Sequence, residues 1–200
     1  MSSSARASQK KLAGEVEAAA RRRRFRRVAL FGLWAGLLLL PLRGEAQTLW
    51  AWGDNRHGQL GDGTAAPSGV PVRVSTLTGL AGVTHFAAGG GHSLALTGDG
   101  VVWAWGSNRH GQIGNAAGDG SSLPVPVSNL TGAVAVAAGL EHSLALRKDG
   151  TVWAWGGNGA GQLGDGTRAD SVIPVEVSTP SGPLTEVAAI AAGGTAPSPS

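Results

Sequence analysis

The chain has 200 residues, 33 of them glycine and none cysteine, which excludes a disulfide scaffold and thiolate metal sites. Glycine without a Gly-X-Y period excludes collagen and fits tight turns between short strands. The net charge of +3 is the sum of two opposite parts: up to Ala46 ten Lys or Arg face three acids (+7), and from Gln47 onward six bases face ten acids (−4), so a basic nucleic-acid footprint is confined to the leader and excluded from the rest.

Met1 to Lys11 is polar, and Leu12 to Arg27 is expected to form a basic helix ending in Arg21-Arg22-Arg23-Arg24-Phe25-Arg26-Arg27. Val28 to Leu40 carries no charge, and Pro41 to Ala46 closes with Gly44-Glu45-Ala46. A basic stretch, an apolar stretch of this length and a small-x-small exit are the order of a secretory signal peptide, with cleavage expected between Ala46 and Gln47. An uncleaved signal anchor is the alternative, and the leader would then be the membrane contact, although the apolar run is shorter than the roughly 20 residues a spanning helix needs. Arg22-Arg23-Arg24-Phe25 also resembles a twin-arginine export signal. In each case the basic side stays in the cytoplasm. Residues 1–46 are read as leader, and residues 47–200 are expected to be secreted or held in the periplasm or cell envelope.

After the leader the chain repeats itself. Leu49 to Thr64 (Leu-Trp-Ala-Trp-Gly-Asp-Asn-Arg-His-Gly-Gln-Leu-Gly-Asp-Gly-Thr) returns as Val102 to Gly114 and as Val152 to Thr167. A second block, Ala87 to Gly100 with His92-Ser93-Leu94-Ala95-Leu96, is matched by Ala137 to Gly150, and a third, Pro-Val-x-Val, starts at Pro71, Pro124 and Pro174. The separations Gly61 to Pro71, Gly114 to Pro124 and Gly164 to Pro174 are equal, as are His92 to Trp103 and His142 to Trp153. Length varies only between Pro-Val-x-Val and the next Ala-Ala-Gly, which marks that segment as the surface connection between units.

Each unit reads as four short strands: a Val/Ala run (Val83 to Ala88, Val134 to Ala138), His-Ser-Leu-Ala-Leu, Val-Trp-Ala-Trp-Gly, and Pro-Val-x-Val starting an edge strand at its proline. Asp99-Gly100 and Asp149-Gly150 supply the hairpin turn between the second and third. Alternation puts Trp103 and Trp105 on one face and Ala104 on the other, the bulky-and-small pairing that stacked sheets need. Such sheets at a period near 50 residues are blades of a β-propeller. These motifs resemble the regulator of chromosome condensation repeat family over Leu49 to Gly194. The resemblance implies a seven-bladed ring. This chain is expected to form an incomplete one, all-β, behind a helical export leader: the third and fourth strands of a first blade, two full blades, and one strand at Glu186 to Ala192.

The chemistry-bearing residues point away from catalysis. In His92-Ser93 with Asp99, and His142-Ser143 with Asp149, adjacent strand residues face opposite ways, so His and Ser cannot pair as base and nucleophile; each His is expected to be satisfied inside its own blade. Asp62-Gly63-Thr64 and Asp165-Gly166-Thr167 lack the alternating oxygen ligands of a calcium loop and read as Asx turns. The Trp pairs read as packing between blades. Asn129-Leu130-Thr131 matches a glycosylation sequon. His57 and His110 stand in Asn-Arg-His-Gly loops that the third copy replaces with Gly159-Ala160, so Asn55, Arg56, His57, Asn108, Arg109 and His110 are the expected partner-binding loops. No catalytic residue, cofactor or metal is expected.

The expected function is an exported, non-enzymatic module binding another protein of unknown identity, with self-association through open blade edges. The resemblance also brings in a nucleotide-exchange factor for a small GTPase, which export disfavours, and secreted inhibitors of the β-lactamase inhibitor type, which it suits. A polysaccharide-active enzyme would need paired acids in a cleft, and the acids here are scattered through turns. At the end of the chain Ala191-Ala192-Gly193-Gly194 matches Ala87 to Gly90, and Thr195-Ala196-Pro197-Ser198-Pro199-Ser200 stands where His-Ser-Leu-Ala-Leu is due. The expectation is a fragment of a longer propeller, or a truncated product without function, cut by a frameshift near Gly194.

Overall fold

Residues rich in Val, Trp and Leu between glycine-marked turns pair as antiparallel strands in the computed structural model, which describes residues 29–31, 35–40 and 48–194. Three four-stranded sheets follow one another, each hydrogen-bonded in chain order. Blade 1 holds β1 (Ala29–Phe31), β2 (Ala35–Leu40), β3 (Thr48–Gly53) and β4 (Ser68–Arg73). Blade 2 holds β5 (Val83–Ala88), β6 (His92–Thr97), β7 (Val102–Gly106) and β8 (Ser121–Pro126). Blade 3 holds β9 (Ala133–Ala138), β10 (His142–Arg147), β11 (Val152–Gly156) and β12 (Ser171–Glu176), and a short hairpin of β13 (Ser178–Thr179) and β14 (Gly182–Pro183) follows.

The strand order expected from the repeats is met in blades 2 and 3, with three differences of detail. First, the fourth strand starts at Ser68, Ser121 or Ser171, and its proline lies in mid-strand. The pairing slips there, between Ala51 and Gly53, Ala104 and Gly106, and Ala154 and Gly156. A proline at an irregularity on an edge strand removes no ladder hydrogen bond.

Second, blade 1 has more than two strands. Part of the apolar run Val28 to Leu40 pairs onto β3, Ala35 opposite Gly53 and Leu40 opposite Thr48. A bare β3 would present unpaired N–H and C=O groups, and an uncharged stretch satisfies them. The expected helix at Leu12 to Arg27 and the cleavage point Ala46-Gln47 lie outside the described residues.

Third, Glu186 to Ala192 follows the course of an inner strand without being one. Val187 N–H donates to Gly150 O at 3.2 Å just as Ala133 N–H donates to Gly100 O at 3.2 Å. Glu186 has φ 60°, at the place where Gly82 has 64° and Gly132 has 71°. Among the described residues no second strand lies beside it, since the block that would supply one is replaced.

The core sits between blades. One cluster joins Leu49, Leu60 and Val74 of blade 1 to Phe86, Ala95 and Trp105 of blade 2. The next joins Leu94, Ala104 and Ile113 of blade 2 to Ala145 and Trp155 of blade 3. A blade buries its apolar face only against its neighbour, which is the physical basis of a repeat array.

Candidate functional site at the blade junctions and loop end

The first two Gly-Gln-Leu/Ile-Gly turns each present one main-chain carbonyl to the next blade. Gln59 O accepts from Trp105 Nε1–H and from the Ser93 hydroxyl, both at 2.9 Å. Gln112 O accepts from Trp155 Nε1–H and from the Ser143 hydroxyl at the same distance. The turn has glycine because the indole lies against it: a Cβ on Gly61 or Gly114 would stand 2.6 or 2.7 Å from the Trp105 or Trp155 Nε1, at backbone φ of 70° and 75°.

His92 closes the second junction from the other side. Its Nε2 lies 2.9 Å from Ser143 Oγ, and since that hydroxyl donates to Gln112 O, His92 Nε2–H is the donor. Its Nδ1 is buried without a hydrogen-bond partner. Burial, with a smaller contribution from His142, pushes the His92 pKa down to about 4; burial also lowers that of His142. The expectation of a histidine satisfied inside its own blade is thus corrected. Because β6 and β10 point alternate residues to opposite faces, His92 reaches the serine of the following blade and Ser93 the carbonyl of the preceding one. Histidine and serine are both consumed in holding blades together: the Ser143 hydroxyl beside the His92 ring donates to Gln112 O and not to the imidazole.

The six loop residues divide in two. Asn55 is wholly buried and Asn108 nearly so. Asn55 accepts Leu60 N–H at 2.9 Å and donates to Ala66 O at 3.0 Å; Asn108 accepts Ile113 N–H at 2.9 Å and donates to Ala117 O. Asn158 does the same with Leu163 and Ala169. These are internal staples that shape the loop. The Asx turns are present, Thr64 N–H on Asp62 Oδ1 and Thr167 N–H on Asp165 Oδ1, both at 2.9 Å.

Arg56, His57, Arg109 and His110 face outward at the end of the blades. Arg56 is held by Asp54 at 3.0 Å, and the guanidinium hydrogen bond lowers the Asp54 pKa. His110 Nδ1 lies 2.8 Å from Asp170 Oδ2 across the second junction, with Glu141 at 3.6 Å from Nε2; that contact, then the Asn158 N–H, lowers the Asp170 pKa. Arg109 is exposed and has no ion pair among the described residues. It stands between two clefts that share His57 and Ser107. One, of about 370 Å³, is lined by Gly118 to Ser122, and the other, of about 220 Å³, by Gly90, Gly91, Leu140 and Glu141. Sequence reasoning missed Asp170, which lies outside the repeated blocks, and Glu141 and Ser107, which lie inside them at positions where the copies differ. Among the described residues no group of three or more His, Asp or Glu is placed to hold a metal ion.

Four-stranded blades whose hydrophobic cores and Trp-to-carbonyl hydrogen bonds lie between successive sheets define a β-propeller array. The matched family model is the Regulator of chromosome condensation (RCC1) repeat, at residues 48–96, 99–146 and 149–196. The chain belongs to this repeat family. It is 44% identical over 96 residues to alsin of Homo sapiens, covering 48% of this chain and 5% of alsin. It is 38% identical over 95 residues to the mitochondrial RCC1 domain-containing protein RUG3 of Arabidopsis thaliana, covering 48% of this chain and 21% of RUG3. In fold it matches Prp20p of Saccharomyces cerevisiae, a structure described with binding to Gsp1p and histones, at TM-score 0.70 and 22% identity over 84% of this chain and 41% of Prp20p. The chain thus spans less than half the length of each of these proteins.

Proposed function

We propose that this chain is a non-enzymatic binding module, exported by its leader, that engages another protein through the loop end carrying Arg56, His57, Arg109 and His110. The observation that carries the reading is Arg109, an exposed cation on a ridge between two clefts, set on loops whose asparagines are buried and rigidly bonded. Loops held by a firm scaffold are where recognition residues concentrate, and Prp20p, which shares the fold, is described with protein partners. The acidic balance of residues 47–200 disfavours nucleic acid as the partner. A span of 41% of Prp20p supports reading the chain as part of a larger propeller. Val70 on β4 and Val172 and Ile173 on β12 are exposed apolar residues, and self-association through these outer strands is the second contact proposed.

A photo-crosslinker placed at Arg109 in the expressing cell tests the main reading, with Leu77 on the opposite end of the blades as control. The expected result is one dominant protein adduct at Arg109 and none at Leu77. Equal labelling at both ends overturns it. N-terminal sequencing of exported protein is expected to start at Gln47, and sedimentation is expected to find oligomers.

A further inference from the structure

We propose that residues 29–31 and 35–40 have a second role besides export: in the uncleaved chain they are the inner strand pair of blade 1, a degenerate third copy of the inner half of the repeat. The evidence is register. On β3, β2 places Ala35 opposite Gly53, Gly36 opposite Trp52, Leu37 opposite Ala51 and Leu39 opposite Leu49. On β7, β6 places His92 opposite Gly106, Ser93 opposite Trp105, Leu94 opposite Ala104 and Leu96 opposite Val102. The second pairing repeats the first position by position. The innermost strands agree as well: Phe31 opposes Gly36 and Leu30 opposes Leu37, as Ala138 opposes Ser143 and Ala137 opposes Leu144. A slip of one residue would send every side chain to the other face, so an apolar run that merely covered an edge has no reason to keep this alignment.

The sequence carries the same relation independently. With Gly36 aligned to Ser143, Gly32-Leu33 falls on Gly139-Leu140 and Leu37-Leu38-Leu39 on Leu144-Ala145-Leu146. What is lost is His-Ser, replaced by Ala35-Gly36. Those are the two residue types that make hydrogen bonds between blades, whereas the leucines correspond to Leu94 and Leu96, which make apolar contacts with the next blade. The segment has therefore kept the apolar residue types of the repeat and dropped the polar atoms that an export segment does not tolerate in lipid. An uncharged run serves both ends, since strands buried on two faces and apolar export segments read alike.

The two placements exclude each other. A chain that folds first hides its export segment in blade 1, and cleavage between Ala46 and Gln47 leaves the N–H and C=O edge of β3 unpaired. Hydrogen exchange on the intact 200-residue chain tests this, with Leu37→Asp as the variant and residues 144–154 of blade 3 as the internal folding control. In the unsubstituted chain, amides of 35–40 and 49–53 are expected to exchange at least tenfold more slowly than in an unstructured peptide. In Leu37→Asp both sets are expected to lose that protection while residues 144–154 keep theirs. Exchange of residues 35–40 at the free-peptide rate in the unsubstituted chain overturns the proposal whatever the variant does, and so does a folded variant with undiminished protection at 49–53. Neither result bears on the loop-end binding reading, which rests on other residues.

Discussion

Gln59 and Gln112 each act at two atoms, the side-chain oxygen and the main-chain carbonyl. Gln112 Oε1 caps His110 N–H at 2.9 Å within its own loop, while its carbonyl receives the tryptophan and serine of the next blade. Histidine 92 then makes the junction sensitive to acid. Its pKa of about 4 lies below the ordinary 6.5, so the folded state favours the neutral ring. The stability this contributes is fully present above pH 6.5 and is lost as pH falls from 6.5 through about 4. Between pH 7.5 and 5 the loss is on the order of 2 kcal/mol, and a urea titration at the two values measures it. His92→Gln is expected to flatten the dependence without abolishing it, because burial lowers the His142 pKa in the same direction. An unchanged slope in that variant would remove His92 from the account. Sequence alone excluded the His-Ser pair as a catalytic dyad from strand alternation, and this was legible. The partner of each residue was not, because it lies one repeat away.

At the scale of the element, blade order, the Asp-Gly hairpins and the packing role of the tryptophans could all be read from spacing and alternation. Two things could not. The slip that accommodates proline is set by how β4, β8 and β12 meet their neighbours, and whether Glu186 to Ala192 pairs as a strand depends on a neighbouring strand, which the described residues do not place beside it. Positive φ separates repeats further. Gly63, Ala116 and Gly166 occupy one loop position at φ 90°, 60° and 82°, and Ala116 N–H crosses the junction to Val172 O at 3.1 Å as Gly63 N–H does to Ser122 O at 3.0 Å. Alanine is strained there by about 1 to 2 kcal/mol, partly offset by the greater unfolded-state entropy of glycine. Ala116→Gly is therefore expected to stabilise by about 0.5 to 1 kcal/mol in thermal denaturation; a fall in melting temperature refutes the strain. Gly114→Ala goes the other way, since its Cβ would strike Trp155, and a loss of about 2 to 4 kcal/mol is expected from overpacking and positive φ together. Unfolding at an unchanged denaturant midpoint would show that the indole moves aside freely.

For the whole molecule, stability resides in the joints between blades, and that makes the pattern of coupling between substitutions predictable. Gln112 O holds two donors, Trp155 Nε1–H and the Ser143 hydroxyl. Trp155→Phe removes one and Ser143→Ala the other, and after either change the buried carbonyl still has a partner, so each alone is expected to cost about 1 to 2 kcal/mol. Ser143→Ala alone already takes the acceptor from His92 Nε2–H; only the two changes together leave the Gln112 carbonyl without a partner, and an orphaned buried polar group carries its full desolvation penalty. The double variant is therefore expected to lose about 1 kcal/mol or more beyond the sum of the single changes. Trp105→Phe with Trp155→Phe is the contrasting pair: the two indoles serve different carbonyls, Gln59 O and Gln112 O, and their costs are expected to add within about 0.5 kcal/mol. Urea denaturation of the three single and two double variants measures both cycles. If the Ser143 and Trp155 changes prove additive, the shared carbonyl is not the joint between blades 2 and 3, and the apolar contacts of Trp155 alone must hold them together.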